Sequence, residues 1–181
     1  MTAFIHPLGL CESDSVGEGT RIWAFAHVMA GAVLGRDCNV GDHAFLETGA
    51  VLGDRVTVKN AVLIWDGVTV EDDVFLGPAV VFTNHLRPRS KAEFVRVPTL
   101  VRRGATVGAA ATIICGITIG AHAFIAAGAV VTADVPDHAF VAGNPAVRKG
   151  WVCSCGEPLS AALGCTCGQQ YTETDLGLTL Q

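Results

Sequence analysis

Residues 16–87 read VGEGTR IWAFAH VMAGAV LGRDCN VGDHAF LETGAV LGDRVT VKNAVL IWDGVT VEDDVF LGPAVV FTNHLR, which is twelve hexapeptides without a break. The first position of every hexapeptide is Val, Ile, Leu or Phe. A period of six fits neither the 3.6-residue turn of an α-helix nor the two-residue alternation of an ordinary strand. It is typical of a parallel β-helix, in which each hexapeptide contributes one short strand and one turn. The sequence therefore predicts an all-β fold.

Three hexapeptides are expected to make one triangular coil of eighteen residues, and stacked coils would pair as parallel strands about 4.8 Å apart. The large first-position side chains would point into this prism. The fifth position, from Thr20 to Val80, is small or β-branched and would fit the narrow corner. Gly and Asp cluster at the turns, where a positive φ or a bond from side chain to backbone is needed.

The period lapses after Phe82 and resumes at Val101, so residues 83–100 are predicted to leave the prism as an extruded loop. The segment is polar and basic, and it contains two prolines. Long loops in compact folds are usually functional or disordered, and insertions between repeats often lie on the binding face. We therefore expect the extruded loop to carry functional residues, with a solvated insertion as the alternative.

The chain has 181 residues and a net charge of −5, which fits one domain with a small appendage. We divide it into a β-helix domain, residues 1–150, and a C-terminal tail, residues 151–181. The negative charge leaves no basic stripe for a nucleic-acid partner. No apolar run approaches the ~20 residues of a membrane span, and the N-terminus lacks the features of a signal peptide. We expect a cytoplasmic protein with neither a nucleic-acid nor a membrane partner.

Several short motifs accompany the repeat, namely Trp65-Asp66-Gly67, Phe82-Thr83-Asn84, Pro88-Arg89-Ser90 and Gly143-Asn144-Pro145-Ala146. Together with the hexapeptides they resemble the hexapeptide-repeat acyltransferases over about residues 4–152, in particular the N-acetyltransferases of nucleotide-linked 3-amino sugars. The resemblance implies a left-handed parallel β-helix, a homotrimer, acetyl-CoA as acetyl donor and a nucleotide-linked amino sugar as acceptor. It also implies that both substrates bind in the groove between two prisms.

Two loop residues are candidates for catalysis. Asn84 matches the Phe-Thr-Asn position of the family, where it would bond the amine or the forming tetrahedral oxygen; an Asn that only caps the turn is the alternative. His85 is a candidate general base, because imidazole titrates near neutrality. The resemblance implies a loop histidine as base in the related enzymes that acetylate hydroxyls, and no dedicated protein base in the amino-sugar enzymes. An O-acetyltransferase of a sugar or small hydroxyl acceptor, with His85 as base, is therefore the alternative function.

Four residues are candidates for binding the nucleotide sugar. Arg87 and Arg89 would pair with its pyrophosphate through charge-assisted bonds, and the Pro-Arg-Ser pattern favours Arg89. Glu47 and Lys59 occupy turns at which the relatives place groups that contact the sugar, although a solvated corner explains them equally well. For the coenzyme, the resemblance indicates small residues that let pantetheine approach the backbone and two cations near the 3′-phosphate. These candidates are Gly108, Ala109, Ala127, Gly128, Arg148 and Lys149.

The tail carries two Cys-x-Cys-Gly units, Cys153 to Gly156 and Cys165 to Gly168. Four thiolates form the tetrahedral ligand set of a zinc ribbon, and such a zinc is structural because it has no open position for catalysis. The one-residue spacing departs from the usual two-residue spacing. Free thiols or a strained disulfide are therefore the alternatives. The predicted zinc ligands are Cys153, Cys155, Cys165 and Cys167.

Two further functions fit the sequence less well. A γ-type carbonic anhydrase needs three histidines that converge on zinc, two of them close in sequence, and the six histidines here include no close pair. A non-catalytic scaffold would bind no acetyl-CoA, and the polar loop speaks against it. The histidines other than His85 are expected at the surface or at an interface.

Overall fold

The computed structural model describes residues 2–181, which form 23 strands and no helix. Most prism strands have two residues, because each hexapeptide provides one short strand and one turn. The strands stack into three sheets that form the sides of a prism, and we call these sides faces A, B and C. The predicted all-β solenoid of stacked parallel coils is confirmed. No helix in residues 2–181 is long and apolar enough to cross a bilayer.

The three faces contain nine, seven and five strands. Face A consists of β1 (Phe4–Ile5), β3 (Arg21–Ile22), β6 (Asn39–Val40), β9 (Thr57–Val58), β12 (Phe75–Leu76), β15 (Thr106–Val107), β18 (Phe124–Ile125), β20 (Ala139–Ala142) and β21 (Val147–Trp151). Face B consists of β2 (Leu10–Cys11), β4 (His27–Val28), β7 (Phe45–Leu46), β10 (Leu63–Ile64), β13 (Val81–Phe82), β16 (Thr112–Ile113) and β19 (Val130–Val131). Face C consists of β5 (Val33–Leu34), β8 (Val51–Leu52), β11 (Val68–Val70), β14 (Thr99–Val101) and β17 (Thr118–Ile119), and a separate hairpin joins β22 (Tyr171–Thr174) to β23 (Gly177–Leu180).

Neighbouring coils are in register at a spacing of eighteen residues. On face B, for example, Phe45 pairs with Leu63 and Leu46 pairs with Ile64. The spacing lengthens at the loop, where Val70 of β11 pairs with Val101 of β14, and it shortens slightly at the two ends of the prism, where Phe4 pairs with Arg21 and Phe124 pairs with Phe140. The extruded loop therefore leaves the prism without disturbing the stacking of the coils above and below it.

The core is one continuous column of first-position and fifth-position side chains. First-position residues such as Ile22, Leu46 and Ile64 are fully buried, and so are fifth-position residues such as Ala50 and Val56. The outward residue of each strand is exposed or partly exposed. The inward placement predicted from the hexapeptide pattern is thus confirmed.

The extruded loop is shorter than the predicted segment 83–100. Thr99 and Leu100 belong to β14, where Thr99 pairs with Val68 and Leu100 pairs with Thr69. The physical reason is that Thr99 is β-branched and buried at a corner of the prism, where Val68 lies in the coil before it. The loop therefore comprises residues 83–98.

Both ends of the prism are covered, in different ways. At the N-terminal end, β1 and β2 pair in parallel with β3 and β4 and so form a first partial coil. At the other end, β21 folds back antiparallel to β20, and the tail then returns to the prism. There Asp137 forms a bridge with Gly177, and a Cβ at Gly177 would lie only 2.5 Å from the Asp137 nitrogen. Only glycine allows this close approach.

Candidate active site and cysteine cluster

The extruded loop emerges at the edge between faces B and C, which we call the loop edge. Glu47, Trp65 and Thr83 follow β7, β10 and β13 on this edge, each one coil after the last. The next residues along the chain are Thr48, Asp66 and Asn84. The regular stacking of face B therefore aligns two columns of side chains beneath the loop.

A cavity of about 310 Å³, the loop cavity, lies between the loop and this edge. Asn84, His85 and Arg89 line it together with Trp65 and Phe94. The Trp65 indole Nε1–H donates to the carbonyl oxygen of Phe82 at 2.9 Å, which fixes the ring below the loop. Two aromatic rings thus enclose the polar groups of the loop.

A second cavity of about 500 Å³, the acidic cavity, adjoins the first. Its lining includes the carboxylates of Glu47 and Asp66, and it shares Trp65, Asn84 and Phe94 with the loop cavity. The Glu47 Oε2 atom accepts the backbone N–H of Asp66 at 2.8 Å, so this carboxylate is held in place. Asn84 therefore lies where the two cavities meet.

His85 is half-buried, and its hydrogen bonds define its tautomer. Its Nδ1 atom accepts the backbone N–H of Arg87 at 3.0 Å, and its ring lies 5.5 Å from the ring of Phe94. A backbone N–H can only donate, so in the neutral imidazole the proton is on Nε2. In this geometry His85 presents a donor rather than an acceptor.

The predicted sugar-binding residues do not all come together in one chain. Arg89 lines the loop cavity, and its Nη1–H donates to the carbonyl oxygen of Pro88 at 2.9 Å. Arg87 is exposed and lines neither cavity. Lys59 follows β9 on the edge between faces A and B, which we call the A–B edge. The structure thus brings Glu47, Asn84, His85 and Arg89 together and places Lys59 on a different edge.

The predicted coenzyme residues Gly108, Ala109, Ala127 and Gly128 all lie on the A–B edge, after β15 and β18. The Gly108 N–H donates to the carbonyl oxygen of Ile125 at 2.8 Å, so it is engaged in stacking the coils. A Cβ at Gly108 would lie 2.5 Å from the Ala127 nitrogen. Around Gly128, in contrast, the space that a Cβ would occupy is open. Stacking thus explains Gly108, while Ala109, Ala127 and Gly128 form an exposed strip of small residues.

The two predicted phosphate-binding cations lie on β21 and are exposed. The Arg148 guanidinium carbon is 4.2 Å from the centre of the Trp151 ring, and its Nη1 is 3.9 Å from the Glu173 carboxylate. Arg148 is therefore held against the tail. Lys149 is the next residue on the same strand.

The four tail cysteines form one cluster, in which all sulfur atoms lie within 4.8 Å of one another. The Sγ–Sγ distances are 3.6 Å for Cys153 with Cys167 and 3.6 Å for Cys155 with Cys165. Four sulfurs about 2.3 Å from a tetrahedral zinc lie roughly 3.8 Å apart. The two units also form the same kind of turn. The Gly156 N–H donates to the Cys153 carbonyl oxygen, and the Gly168 N–H donates to the Cys165 carbonyl oxygen. The donor set therefore fits a tetrahedral metal ion.

The electrostatics of the cluster also favour a cation. Burial opposes ionisation of Cys153, but the Cys155 N–H and the Tyr171 hydroxyl donate to its sulfur and lower the pKa to about 6. The Glu157 N–H favours the thiolate of Cys155, yet the neighbouring sulfurs prevail and raise the pKa of Cys155 to about 12. One thiol thus ionises readily and the next resists, as expected when negative charges accumulate without a counter-ion.

One group near the tail was not expected from the sequence. His138 is buried, although it was predicted to lie at the surface or at an interface. Its ring stacks on that of His122, with the ring centres 5.0 Å apart, and packs against the tilted ring of Tyr171 at 4.8 Å. Its Nδ1 is 3.0 Å from the carbonyl oxygen of Val152. The docked tail covers this histidine, and nothing in the hexapeptide pattern indicates where the tail docks.

Two family descriptions match the chain. That of the bacterial transferase hexapeptide, with six repeats, matches residues 15–48. That of the hexapeptide repeat of succinyl-transferase matches residues 101–133. Both matches lie in the prism, one on each side of the extruded loop.

The chain is similar to known proteins over most of its length. It is 47% identical to a dTDP-3-amino-3,6-dideoxy-alpha-D-galactopyranose 3-N-acetyltransferase of Aneurinibacillus thermoaerophilus, over 96% of this chain and 93% of the relative. A hexapeptide-repeat acetyltransferase of Vibrio cholerae, solved with acetyl coenzyme A, is 26% identical with a TM-score of 0.58, over 67% of this chain and 70% of the other. A galactoside acetyltransferase solved with coenzyme A is 23% identical with a TM-score of 0.59, over 67% of this chain and 64% of the other. This likeness supports the fold alone.

Proposed function

Because this chain belongs to the hexapeptide-repeat acetyltransferases, we propose that it transfers the acetyl group of acetyl-CoA to the amino group of a nucleotide-linked 3-amino sugar. The likeness to a relative named for this reaction supports the proposal. The observation in the molecule itself that carries it is the position of Asn84 at the junction of the loop cavity and the acidic cavity. There one amide side chain can reach the reacting groups.

The two cavities match the charges of such an acceptor. A nucleotide-linked amino sugar carries negative charge on its pyrophosphate and an amine that is cationic when protonated. Arg89 in the loop cavity is suited to the pyrophosphate, although Glu93 lines the same cavity. Glu47 in the acidic cavity is suited to the amine, while Asp66 in the same cavity is paired with Arg96 at 2.8 Å. This arrangement favours an amine over a hydroxyl as the group that is acetylated.

In the proposed reaction the neutral amine nitrogen attacks the carbonyl carbon of the thioester. The carbon–sulfur bond then breaks, and the departing sulfur takes the proton that the nitrogen loses. Alignment of the two bound reactants can supply about 7–11 kcal/mol. The Asn84 amide can donate to the developing oxyanion, and a donor of this kind contributes roughly 2.7–4 kcal/mol.

His85 has a different part in this proposal from the general base expected of an O-acetyltransferase. Its Nδ1 atom already accepts a bond from the Arg87 N–H, and its Nε2 atom bears the proton. We therefore assign His85 a polar contact with the acceptor. The amine needs no protein base when the leaving sulfur accepts the proton.

We further propose that the active enzyme is a homotrimer. Asn84 lies on the loop edge and the small coenzyme residues lie on the A–B edge, so one prism holds them apart. In a ring of three chains, the loop edge of each chain contacts the A–B edge of the next. Head-to-tail contacts of this kind form a closed ring when successive rotations return to the first chain. The outward side chains of face B between these edges include the apolar residues Leu10 and Val81, both exposed in the single chain, as expected of an interface.

The tail is proposed to hold one structural zinc ion through Cys153, Cys155, Cys165 and Cys167, whose spacing fits that role. With four sulfur ligands the ion would have no open position and would take no part in catalysis. None of the seven cysteines forms a disulfide in the described structure. We propose that the enzyme works in the cytoplasm, where thiols that bind zinc remain reduced.

The test is release of coenzyme A thiol from acetyl-CoA, measured with a panel of dTDP-linked and UDP-linked 3-amino and 4-amino sugars. The same sugars with a hydroxyl in place of the amine are the matched acceptors. We expect release with at least one 3-amino sugar and none with its hydroxyl counterpart. No release with any amine from the folded protein would rule the proposal out.

Two substitutions separate the roles of the loop residues. Asn84→Asp keeps the shape but replaces the amide donor, so kcat should fall by about 10²-fold or more. His85→Gln keeps a donor near the ring position. The kcat of His85→Gln should therefore fall by much less than the ~10²-fold expected when a general base is removed. A 10²-fold loss in His85→Gln would instead restore the base role and the O-acetyltransferase alternative.

A further inference from the structure

The extruded loop makes few polar contacts with the coils beneath it. Its two ends are joined to each other, since the Val97 N–H donates to the carbonyl oxygen of Asn84 at 2.9 Å. Between those ends, the bonds of residues 85–95 run within the loop, such as that from the Arg87 N–H to His85. Within residues 2–181, one hydrogen bond joins the side chain of a loop residue from 85 to 97 to the coils. It runs from Arg96 Nη1 to Asp66 Oδ1 at 2.8 Å.

The coil is shaped to receive Arg96. A Cβ placed on Gly67 would lie 2.8 Å from Cδ and 2.9 Å from Cγ of Arg96. The aliphatic part of the Arg96 side chain therefore packs directly against the Gly67 backbone, in space that a side chain at position 67 would otherwise fill. Gly67 also has a φ of +87°, a conformation that glycine adopts at little cost. On the other side, Asp66 is oriented by the bond from its N–H to Glu47. Three residues of the prism therefore position one loop residue.

We infer that Arg96 is a positioning residue that holds the extruded loop over the acceptor site through its ion pair with Asp66. It lines neither cavity, so it acts through the loop that carries Asn84, His85 and Phe94. The inference deepens the proposed function and rests on it for its effect on catalysis. Whether Arg96 holds the loop against the prism can be tested without any measurement of enzyme activity.

The size of the effect follows from the exposure of the pair. The Arg96 and Asp66 side chains are 55% and 32% exposed, so solvent weakens their attraction. Exposed pairs of this kind shift an equilibrium by up to about fivefold. That shift is small for the whole fold but large for a loop with few other contacts. Loss of Arg96 should therefore open the loop without unfolding the prism.

The first measurement is limited proteolysis of the full chain with trypsin, followed by mass spectrometry. In Arg96→Gln, cleavage after Arg89 and Lys91 should be up to about fivefold faster than in the wild type, and Arg96→Lys should restore most of the protection. Arg36→Gln is the matched control, because it removes another exposed ion pair, with Asp54 at 3.2 Å, on a different edge. Unchanged cleavage in Arg96→Gln would overturn the inference.

The second measurement is steady-state kinetics with the nucleotide-linked amino sugar. Arg96→Gln should raise the KM for the amino sugar by up to about fivefold and leave the KM for acetyl-CoA unchanged, while Arg96→Lys recovers. Faster cleavage together with an unchanged KM for the amino sugar would overturn the positioning role. If the wild type acetylates no amino sugar, the proposed function fails, and the proteolysis result still decides whether Arg96 closes the loop.

Discussion

Thr20 and Thr99 illustrate how one hydrogen bond decides the cost of a polar side chain inside the prism. Both are buried at a corner. The Thr20 hydroxyl donates to the carbonyl oxygen of Gly35 at 2.8 Å and accepts the Cys38 N–H at 3.0 Å. The Thr99 hydroxyl oxygen has no hydrogen-bond partner among the described residues. An unpaired buried hydroxyl is destabilising, whereas a paired one is not.

Replacement of each threonine by valine should therefore have opposite effects. Thr99→Val keeps the shape and removes an unpaired polar group, so the free energy of unfolding should rise by about 1 kcal/mol. Thr20→Val leaves the Cys38 N–H without its partner and should lower that free energy by roughly 1–3 kcal/mol. Urea unfolding at an unchanged m value measures both. Equal losses in the two variants would contradict this account.

At the scale of single residues, much of the site follows from counting by eighteen. Glu47, Trp65 and Thr83 differ by eighteen and lie on one edge, and the same arithmetic places Asp66 in the column of Asn84. Lys59 is twelve residues after Glu47, which is two hexapeptides and therefore another edge. The assignment of Lys59 to the sugar site came from the family likeness, and the arithmetic places this residue on a different edge of the same chain from Glu47.

At the scale of elements, the existence of the extruded loop was predictable and its shape was not. The break in the period between Phe82 and Val101 shows that residues leave the prism. No period governs their path, because the loop bonds mainly to itself. The partners of Arg96 and Phe94 therefore could not be predicted. The exact end of the loop also depended on Thr99, whose type suits either a corner or a loop.

The stacked histidines His122 and His138, at the end of the prism, are a second feature that depends on tertiary contacts. Burial lowers the pKa of His122, and the neighbouring His138 and Arg103 lower it further, while Asp137 and Asp73 act in the opposite direction. Burial also lowers the pKa of His138, opposed by its bond to Val152 and by Asp137. In the folded protein both rings therefore bind a proton less readily than in the unfolded chain.

This predicts a loss of stability in mild acid. Above the unfolded value of about 6.5 both states hold neutral histidine, and the stability is complete. As the pH falls below that value the unfolded chain takes up protons first, so the free energy of unfolding declines until the folded pKa is passed. In His122→Gln, urea unfolding between pH 7 and about pH 5 should show a smaller decline than in the wild type.

His43→Gln is the matched control for this experiment. His43 has a similar positive φ, 59° against 55° for His122, and its ring also stacks, on Phe25. It lies in a different coil, away from the tail. The control should follow the wild-type decline. A decline in His122→Gln as steep as in the wild type would show that His122 does not contribute.

At the scale of the whole molecule, the prism and the tail have separate cores. The prism core runs from Ile22 to Val141. The tail core is the small cluster of Cys153, Tyr171 and Leu178, too few apolar residues to fold without a further constraint. A structural metal commonly supplies that constraint in small units. The tail should therefore depend on zinc, and the prism should not.

Purified protein should contain one zinc per chain by atomic emission spectroscopy, and a chelator should release the tail while the prism stays folded. The expected readout is rapid tryptic cleavage after Arg148 and Lys149 with no change in far-ultraviolet circular dichroism of the prism. Cys155→Ser should behave like the chelated protein. Cys11→Ser, a half-buried cysteine outside the cluster, should behave like the wild type. A metal-free protein with a protected tail would contradict the prediction.

The proposed trimer makes a quantitative prediction, because each active site would take its loop from one chain and its coenzyme edge from the next. Asn84→Ala disables the loop side, and Ala127→Trp places a bulky ring on the exposed strip of the A–B edge. Each variant alone should form inactive trimers. The two variant proteins are mixed in equal amounts, unfolded and refolded together, so that mixed trimers form. An active site is then intact only where the loop comes from an Ala127→Trp chain and the coenzyme edge comes from an Asn84→Ala chain. Random mixing yields that combination in about a quarter of the sites, since a head-to-tail ring pairs each chain with an independent neighbour. Activity near a quarter of the wild-type value would support a shared site, and no recovery in trimers of confirmed mass would place the whole site within one chain.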